Sequence, residues 1–321
     1  MTLSRRTAIG SALVAAFAPY VTRSADAAQP PAGQQAPAFY RFKVGSLEVT
    51  AINDGVAYRP LDGFIKNAPD QDVKNALAAA FLPTDKMTIP FTTLVVNTGA
   101  KLVLLDTGNG NSGAPTSGTW MTNFKAAGFD PANVDAIMIS HFHGDHINGL
   151  RLKDGTEVFP KAELMVPSVE WAYWMSDEKM AAAPEGLKPN FANVRRVFGP
   201  RAKDVTMFEW DKEPVTGITT ISAPGHTPGH TAFALASGNA KAIAMSDTTN
   251  NPALFVRNPE WSAVFDMDAA QAVTTRKRLL DMAAADKLQV SFYHAAFPAT
   301  GFIAKDGAGF QMVPMSWQPS I

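Results

Sequence analysis

Ser140-His141-Phe142-His143-Gly144-Asp145-His146-Ile147-Asn148-Gly149 constrains this chain more than any other stretch. Three imidazoles and a carboxylate fall within six residues, directly after the apolar run from Val134 to Ile139. Such a run predicts a buried strand, so the histidines lie where strand gives way to loop. Gly144 and Gly149 permit the tight turning that aims several side chains at one point. Imidazole nitrogen with carboxylate oxygen is the donor set of zinc and similar divalent ions. Imidazolium groups packed this densely without a metal would repel one another, which argues against histidines that merely fill space.

The chain has no cysteine, which excludes a disulfide framework and any thiolate metal site. Its 321 residues, 46% of them hydrophobic, suffice for one large domain or two small ones. A formal net charge of −1 without a long Lys/Arg run gives no footprint for nucleic acid.

Residues 1–27 are expected to be a signal peptide. Ser4-Arg5-Arg6-Thr7 precedes an apolar stretch from Ala8 to Val21 that is broken by Pro19 and is too short to span a bilayer. Ala25-Asp26-Ala27 follows as a small-x-small cleavage site. The paired arginines point to the twin-arginine route, with general secretion as the alternative. Export to the periplasm or beyond, without a stable membrane anchor after processing, is the expected location. Residues 28–38 read as a disordered Pro-rich spacer, and residues 39–321 as a single domain.

Along that domain, strands are predicted at Phe39 to Val44, Leu47 to Ile52, Thr92 to Val96 and Lys101 to Leu105. A helix capped by Asp70 runs until Pro83, and another spans Thr119 to Ala127. The Gly/Ser/Asn-rich segment from Gly108 to Gly118 is expected to be mobile. Asp106, at a strand end, reads equally as a turn-capping residue or as a partner of the metal site. Beyond the first motif come a strand at Ala162 to Val166, a helix opened by Pro167-Ser168, and a surface excursion from Asp177 to Pro189. Strands return at Val205 to Phe208, Ile218 to Ser222, Thr231 to Leu235 and Ala240 to Ala244. A helix over about Asp268 to Ala285 precedes a last strand, Gln289 to Tyr293. Strand blocks followed by helices predict a layered α/β domain. One internal echo stands out, because Asp106 precedes His141 as Asp247 precedes His294, each at a strand end.

The remaining histidines are placed like the first three. Pro224-Gly225-His226-Thr227-Pro228-Gly229-His230 is a turn with two of them, and His294 follows the last strand. Taken in order, His-x-His-x-Asp-His, Gly-His-Thr-Pro-Gly-His, Ser-Asp and Tyr-His resemble the metallo-β-lactamase superfamily from about Phe39 onward. Within it the chain most resembles methyl parathion hydrolase and its relatives, exported enzymes related to quorum-quenching lactonases. Asn97 to Gly108, Lys125 to Gly128 and His294-Ala295-Ala296-Phe297-Pro298 carry that closer likeness.

The resemblance implies a four-layer αββα sandwich with a two-metal centre at one edge. By position, His141, His143 and His226 hold one ion, Asp145, His146 and His294 hold the other, and Asp247 bridges both. His230 is not a ligand in that pattern and is expected to brace its loop. Two divalent ions, zinc first with manganese, iron or cobalt as alternatives, lower the pKa of a shared water from near 16 towards about 7 and polarise the bond under attack. Asp145 is expected to pass the proton to the leaving group, so Asp145 and Asp247 are the expected catalytic residues.

A small-molecule ester, lactone or phosphotriester is the implied substrate, and assembly as a homodimer is left open. Expected pocket walls are Phe142, Trp174, Phe255, Phe297, Phe302 and the loop from Asn109 to Ser117. Two departures matter. The phosphotriesterase-active relatives carry an aromatic residue where this chain has Gly113, and the lactonases carry a tyrosine where it has Asn250. A glyoxalase II-like thioester hydrolase, a mono-iron sulfur dioxygenase and a catalytically silent metal-binding protein are the rival readings.

Overall fold

The computed structural model describes residues 29–321, so the expected signal peptide (residues 1–27) lies outside the described residues. Residues 29–37 are exposed and form neither helix nor strand, while Pro37–Ile321 forms one compact unit. No helix among the described residues is long and apolar enough to cross a membrane.

The first half of the chain contributes β1 (Phe39–Val44), β2 (Leu47–Pro60), α1 (Asp70–Ala79), β3 (Lys86–Asn97), β4 (Leu102–Leu105), α2 (Trp120–Ala126), β5 (Ala136–Met138) and α3 (Gly144–Ile147). Next come β6 (Glu163–Pro167), α4 (Ser168–Trp174), α5 (Asp177–Ala182), α6 (Lys188–Phe198) and β7 (Val205–Phe208). The second half supplies β8 (Ile218–Ser222), β9 (Thr231–Ser237), β10 (Ala240–Ala244), α7 (Ala269–Ala285), β11 (Gln289–Ser291), β12 (Thr300–Asp306) and β13 (Gly309–Pro314).

Seven strands form one sheet in chain order, β1 to β7, and six form the other in the order β13-β12-β11-β10-β9-β8. Between the sheets lie Val49, Val96, Val103, Met138, Phe233, Leu235 and Ala244, all buried. The outer face of the first sheet is covered by Trp120, Phe124, Phe191, Val194 and Phe198 from helices. That of the second is covered by Leu279, Leu280 and Ala283 of α7. The result is the four-layer αββα sandwich. Each buried aliphatic or aromatic side chain contributes roughly 1.5–3 kcal/mol relative to exposure, so these three apolar layers dominate the stability.

The loops that carry the clustered histidines and aspartates leave the sheets at equivalent places. In the first sheet β4 pairs in parallel with β5, and in the second β10 pairs in parallel with β11. Asp106 and Asp247 follow the first strand of each pair, and His141 and His294 follow the second, which gives the sequence echo a structural form.

Three expectations need correction. β2 does not end at Ile52 but continues to Pro60 past a register shift between Asn53 and Val56. Gly55, at φ 87°, sits in that irregularity, where an L side chain would be strained. The excursion after Asp177 begins as expected, since α5 buries nothing. It then gives way to α6, whose Phe191, Val194 and Phe198 are buried at helical spacing. The hairpin β12–β13 is also absent from the sequence reading.

Candidate metal centre

The site is built from five strand ends and turns. Asp106 leaves β4 at φ 64° and turns its carboxylate back over the loop that follows β5. Its Oδ1 accepts the Ser140 N–H at 2.8 Å, and its Oδ2 accepts the Ser140 hydroxyl at 2.7 Å and the His146 Nδ1–H at 2.8 Å. Asp106 thus stands as the partner that orients His146, and its carboxylate accepts from residues 34–40 positions on and not from its own turn.

All seven expected metal-site side chains converge. His141 Nε2 and His226 Nε2 lie 3.1 and 2.9 Å from His143 Nδ1. Asp145 Oδ2 lies 3.5 Å from both His146 Nε2 and His294 Nε2. Asp247 touches both groups, with Oδ1 3.2 Å from His146 Nε2 and Oδ2 3.3 Å from His226 Nε2 and 2.9 Å from His294 Nε2. The triads His141/His143/His226 and Asp145/His146/His294 each bring their donor atoms within 4.8 Å of one another.

The donor set fits a pair of divalent cations on a direct observation. His146 Nε2 and Asp247 Oδ1 are buried and have no hydrogen-bond partner among the described residues. An orphaned buried polar atom costs about 1–3 kcal/mol, and a cation between these two would satisfy both. Protonation follows the same demand for positive charge. Burial pulls the His146 imidazole down, yet the carboxylates of Asp247, Asp145 and Asp106 push it well above its ordinary value. His294 is also raised, by Asp247 against its burial. Burial and the crowd of neighbouring imidazoles hold His141 and His143 well below the ordinary range, so those two stand as neutral donors.

The far side of nearly every imidazole is fixed, which sets ring orientation. His141 Nδ1 meets the Ser140 hydroxyl at 3.0 Å, His226 Nδ1 meets Asp266 at 3.0 Å, and His294 Nδ1 donates to the Pro90 carbonyl at 2.8 Å. Asp266 is in turn held by Arg276 of α7, which is buried and also donates to the Thr248 and Pro259 carbonyls. The Tyr293 ring stacks on His146 at 3.8 Å, and its hydroxyl donates to the Asp145 carbonyl at 2.5 Å. His230 sits outside the donor set: its Nε2 accepts the Asp247 N–H and its Nδ1 donates to the Ala223 carbonyl.

Two buried carboxylates escaped the sequence reading. Glu170 of α4 takes four donors, the Phe142 N–H and the Trp174 indole N–H on one oxygen and the Thr227 hydroxyl and the Gly229 N–H on the other. It ties the two histidine loops together. Asp54, in the β2 irregularity, accepts from the Asn109 and Trp120 backbone N–H groups and from the Asn109 side chain at 2.6–2.9 Å. The segment expected to be mobile is therefore pinned by hydrogen bonds at both ends. Little local marks either carboxylate, since apart from the Trp174 indole one turn on from Glu170 their donors lie far off in sequence.

The seven-residue cluster opens on a cavity of about 540 Å³. Asn109, Ser112, Gly113 and Ala114 line it, as expected of that loop, together with Ala57, Tyr58, Arg59, Ile89, Phe91 and Phe265. None of the five expected aromatic residues does. Phe142 is turned into the core, with its ring 4.4 Å from Phe198. Trp174 is buried beside Phe191, directs its N–H to Glu170 and meets His143 only edge-on at 6.3 Å. Phe255 packs under the Arg276 guanidinium. Phe297 and Phe302 are more than one-third exposed outside the cavity. The apolar wall comes instead from the extended ends of β2 and β3.

Fold and site together define a class. Residues 88–294 match the metallo-beta-lactamase superfamily, and the chain belongs to that superfamily. Among curated relatives, the N-acyl homoserine lactonase AttM of Agrobacterium fabrum is 32% identical over 133 residues, 38% of this chain and 43% of the relative. The match thus spans less than half the length of that lactonase. An N-acyl homoserine lactonase from a Bacillus species is 21% identical over 239 residues, 68% of this chain and 87% of the relative. Two solved structures are similar over most of the fold. The hydrolase AbOPH has a TM-score of 0.83 at 25% identity, covering 89% of this chain and all of the other. AidC, a dizinc quorum-quenching lactonase in complex with the product N-hexanoyl-L-homoserine, has a TM-score of 0.82 at 27% identity, covering 88% of this chain and 98% of the other.

Proposed function

We propose that this protein is a metal-dependent hydrolase of small-molecule carboxylic esters, with lactones as its preferred class. The observation that carries the reading is the placement of Asp247 against both donor groups, with Asp247 Oδ1 and His146 Nε2 left unpartnered at the buried centre. Two divalent ions, zinc by preference, held by His141, His143 and His226 and by Asp145, His146 and His294 with Asp247 between them, would supply an activated water and polarise the scissile carbonyl.

The residues of the chain do the rest. Asp145, about one-quarter exposed and lining the cavity, takes the proton of the attacking water on the carboxylate oxygen that does not face His146 and His294 and returns it to the leaving alkoxide as the ring or ester C–O bond breaks. Asp106, Asp266 and the Pro90 carbonyl keep His146, His226 and His294 in one orientation throughout. The β2–β3 wall, with Ile89 and Phe91, offers apolar contact to an acyl or alkyl group, and a cavity of this size suits a small ligand. Lactonase relatives support the lactone over the phosphotriester.

The test is to quantify bound metals and to assay lactones, aryl esters, phosphotriesters and β-lactams before and after chelation. Expected are two transition ions per chain and lactone hydrolysis that chelation abolishes and zinc restores. In Asp145→Asn the amide oxygen can still face the ion but cannot take a proton, so kcat of the variant assayed at full metal loading should fall about a hundredfold. Metal-loaded protein that hydrolyses none of these substrates would overturn the reading. The N-terminal Arg5-Arg6 leader adds a proposal of export, tested by sequencing the N-terminus of protein recovered from the periplasm.

A further inference from the structure

Asn148 caps the C-terminus of α3 three residues past Asp145 and keeps right-handed helical backbone angles, which sets the two positions one turn apart on the same side. It is only 8% exposed and lines the cavity. Its Oδ1 accepts two hydrogen bonds, from Asn193 Nδ2 at 3.0 Å and from an Arg196 terminal nitrogen at 2.9 Å, both on α6. Arg196 is itself fixed by the Arg151 and Leu152 carbonyls at 3.0 and 3.1 Å. The orientation of the carboxamide follows: turning it over would set an NH₂ group against a guanidinium and a second amide NH₂. The nitrogen is therefore the free end. Among the described residues it donates to nothing, and it lies against Gly144, where a Cβ would come within 2.8 Å of it. It is a fixed donor without a protein partner on the wall of the cavity that Asp145 also lines, where the acceptor of a bound ligand can take its hydrogen bond.

We propose that Asn148 is a substrate-binding residue whose amide nitrogen donates to an uncharged acceptor oxygen next to the scissile bond, such as an acylamido carbonyl. The inference rests on the hydrolase reading above and narrows it to esters and lactones that carry such an oxygen. Asn193 and Arg196 are positioning residues that act through Asn148.

The test compares N-hexanoyl homoserine lactone with γ-butyrolactone, which lacks the second acceptor, in wild type, Asn148→Ala and Asn148→Asp. The aspartate variant keeps the acceptor that Asn193 and Arg196 require, replaces the donor with a second acceptor and adds a negative charge that both lactones meet alike, so the difference between the two lactones decides the matter if the alanine variant folds poorly. In both variants KM for the acylated lactone should rise about tenfold with kcat little changed, as for lost uniform binding. KM for γ-butyrolactone should move less than twofold, and two ions per chain should remain. Equal changes for both lactones, or none for either, would overturn the proposal. Failure of the metal-loaded wild type to cleave either lactone, with aryl esters still hydrolysed, would overturn this inference alone, and failure on the esters as well would overturn the hydrolase reading with it.

Discussion

The His230 imidazole accepts the backbone N–H of Asp247 at 3.0 Å while its other nitrogen donates to the Ala223 carbonyl at 2.9 Å. Both bonds need the neutral ring. Burial, with the neighbouring His226, holds the His230 pKa down to about 3, against 6.5 for the ordinary group. The unfolded chain therefore takes up this proton first as the pH falls. The stability contributed by His230 is present in full above about pH 6.5 and is lost progressively towards pH 3. His230→Gln can keep both hydrogen bonds without titrating. Urea midpoints of wild type should fall more steeply than those of His230→Gln between pH 6.5 and 3. Parallel curves would remove the brace from the account.

Glu170 makes a different kind of link, between loops rather than to a ligand. Each of its oxygens takes two donors. In Glu170→Gln, whichever way the amide lies, one pair of donors faces an NH₂ group. Charge-assisted hydrogen bonds of this kind are worth about 1.5–3 kcal/mol each, and their loss frees the His143 loop from the His226 turn. The variant should release the ion of the His141/His143/His226 group to a chelator at about tenfold lower concentration than wild type, with the second ion less affected. Coincident chelator titrations would show that the two loops hold their spacing without Glu170.

Local pattern made the ligands legible and left their supports hidden. His141, His143, Asp145 and His146 form one motif after one apolar strand. His226, Asp247 and His294 each follow a short strand or turn that can be read within ten residues. Asp54 and Glu170 owe their roles to burial and, the Trp174 indole apart, to donors 28–66 residues away, which no local pattern reports. The periodicity of α6 was present in Phe191, Val194 and Phe198, but Pro184 and Pro189 just ahead of it read as loop. Pro189 occupies the first turn of that helix, where a proline is tolerated. For the aromatic residues, the sequence offers no way to tell a core ring from a pocket ring, and the fold put Phe142 and Trp174 under the helices of the first sheet and Phe255 in a separate apolar cluster with Phe64 and Leu77.

That placement makes a kinetic prediction. Phe297→Ala and Phe302→Ala alter exposed rings away from the cavity, so kcat/KM should stay within about twofold of wild type, the range of ordinary surface changes. Phe91→Ala removes a ring that lines the cavity 5.5 Å from the His294 ring, and KM for an acylated lactone should rise several-fold as apolar contact is lost. Trp174→Phe deletes one donor to Glu170 and should lower stability by about 1 kcal/mol without a change in KM. A larger KM effect from Phe302→Ala than from Phe91→Ala would place the substrate elsewhere.

Asp54 governs the opposite wall. Its two oxygens accept the Asn109 and Trp120 backbone N–H groups, at the two ends of the loop that carries Ser112, Gly113 and Ala114 into the cavity. Gly108 at φ 77° brings that chain so close that a Cβ would meet Asp54 Oδ2 at 2.8 Å, so the carboxylate and the turn are fitted to each other. In Asp54→Asn one oxygen becomes a donor facing a donor, and at least one end of the loop is released. The loop holds no metal ligand. Both ions should therefore remain, with kcat close to wild type, while KM rises several-fold and protease cleavage within residues 108–118 accelerates. Loss of metal from Asp54→Asn would instead tie this carboxylate to the centre itself, through the Thr107 N–H that donates to the His146 carbonyl beside Gly108.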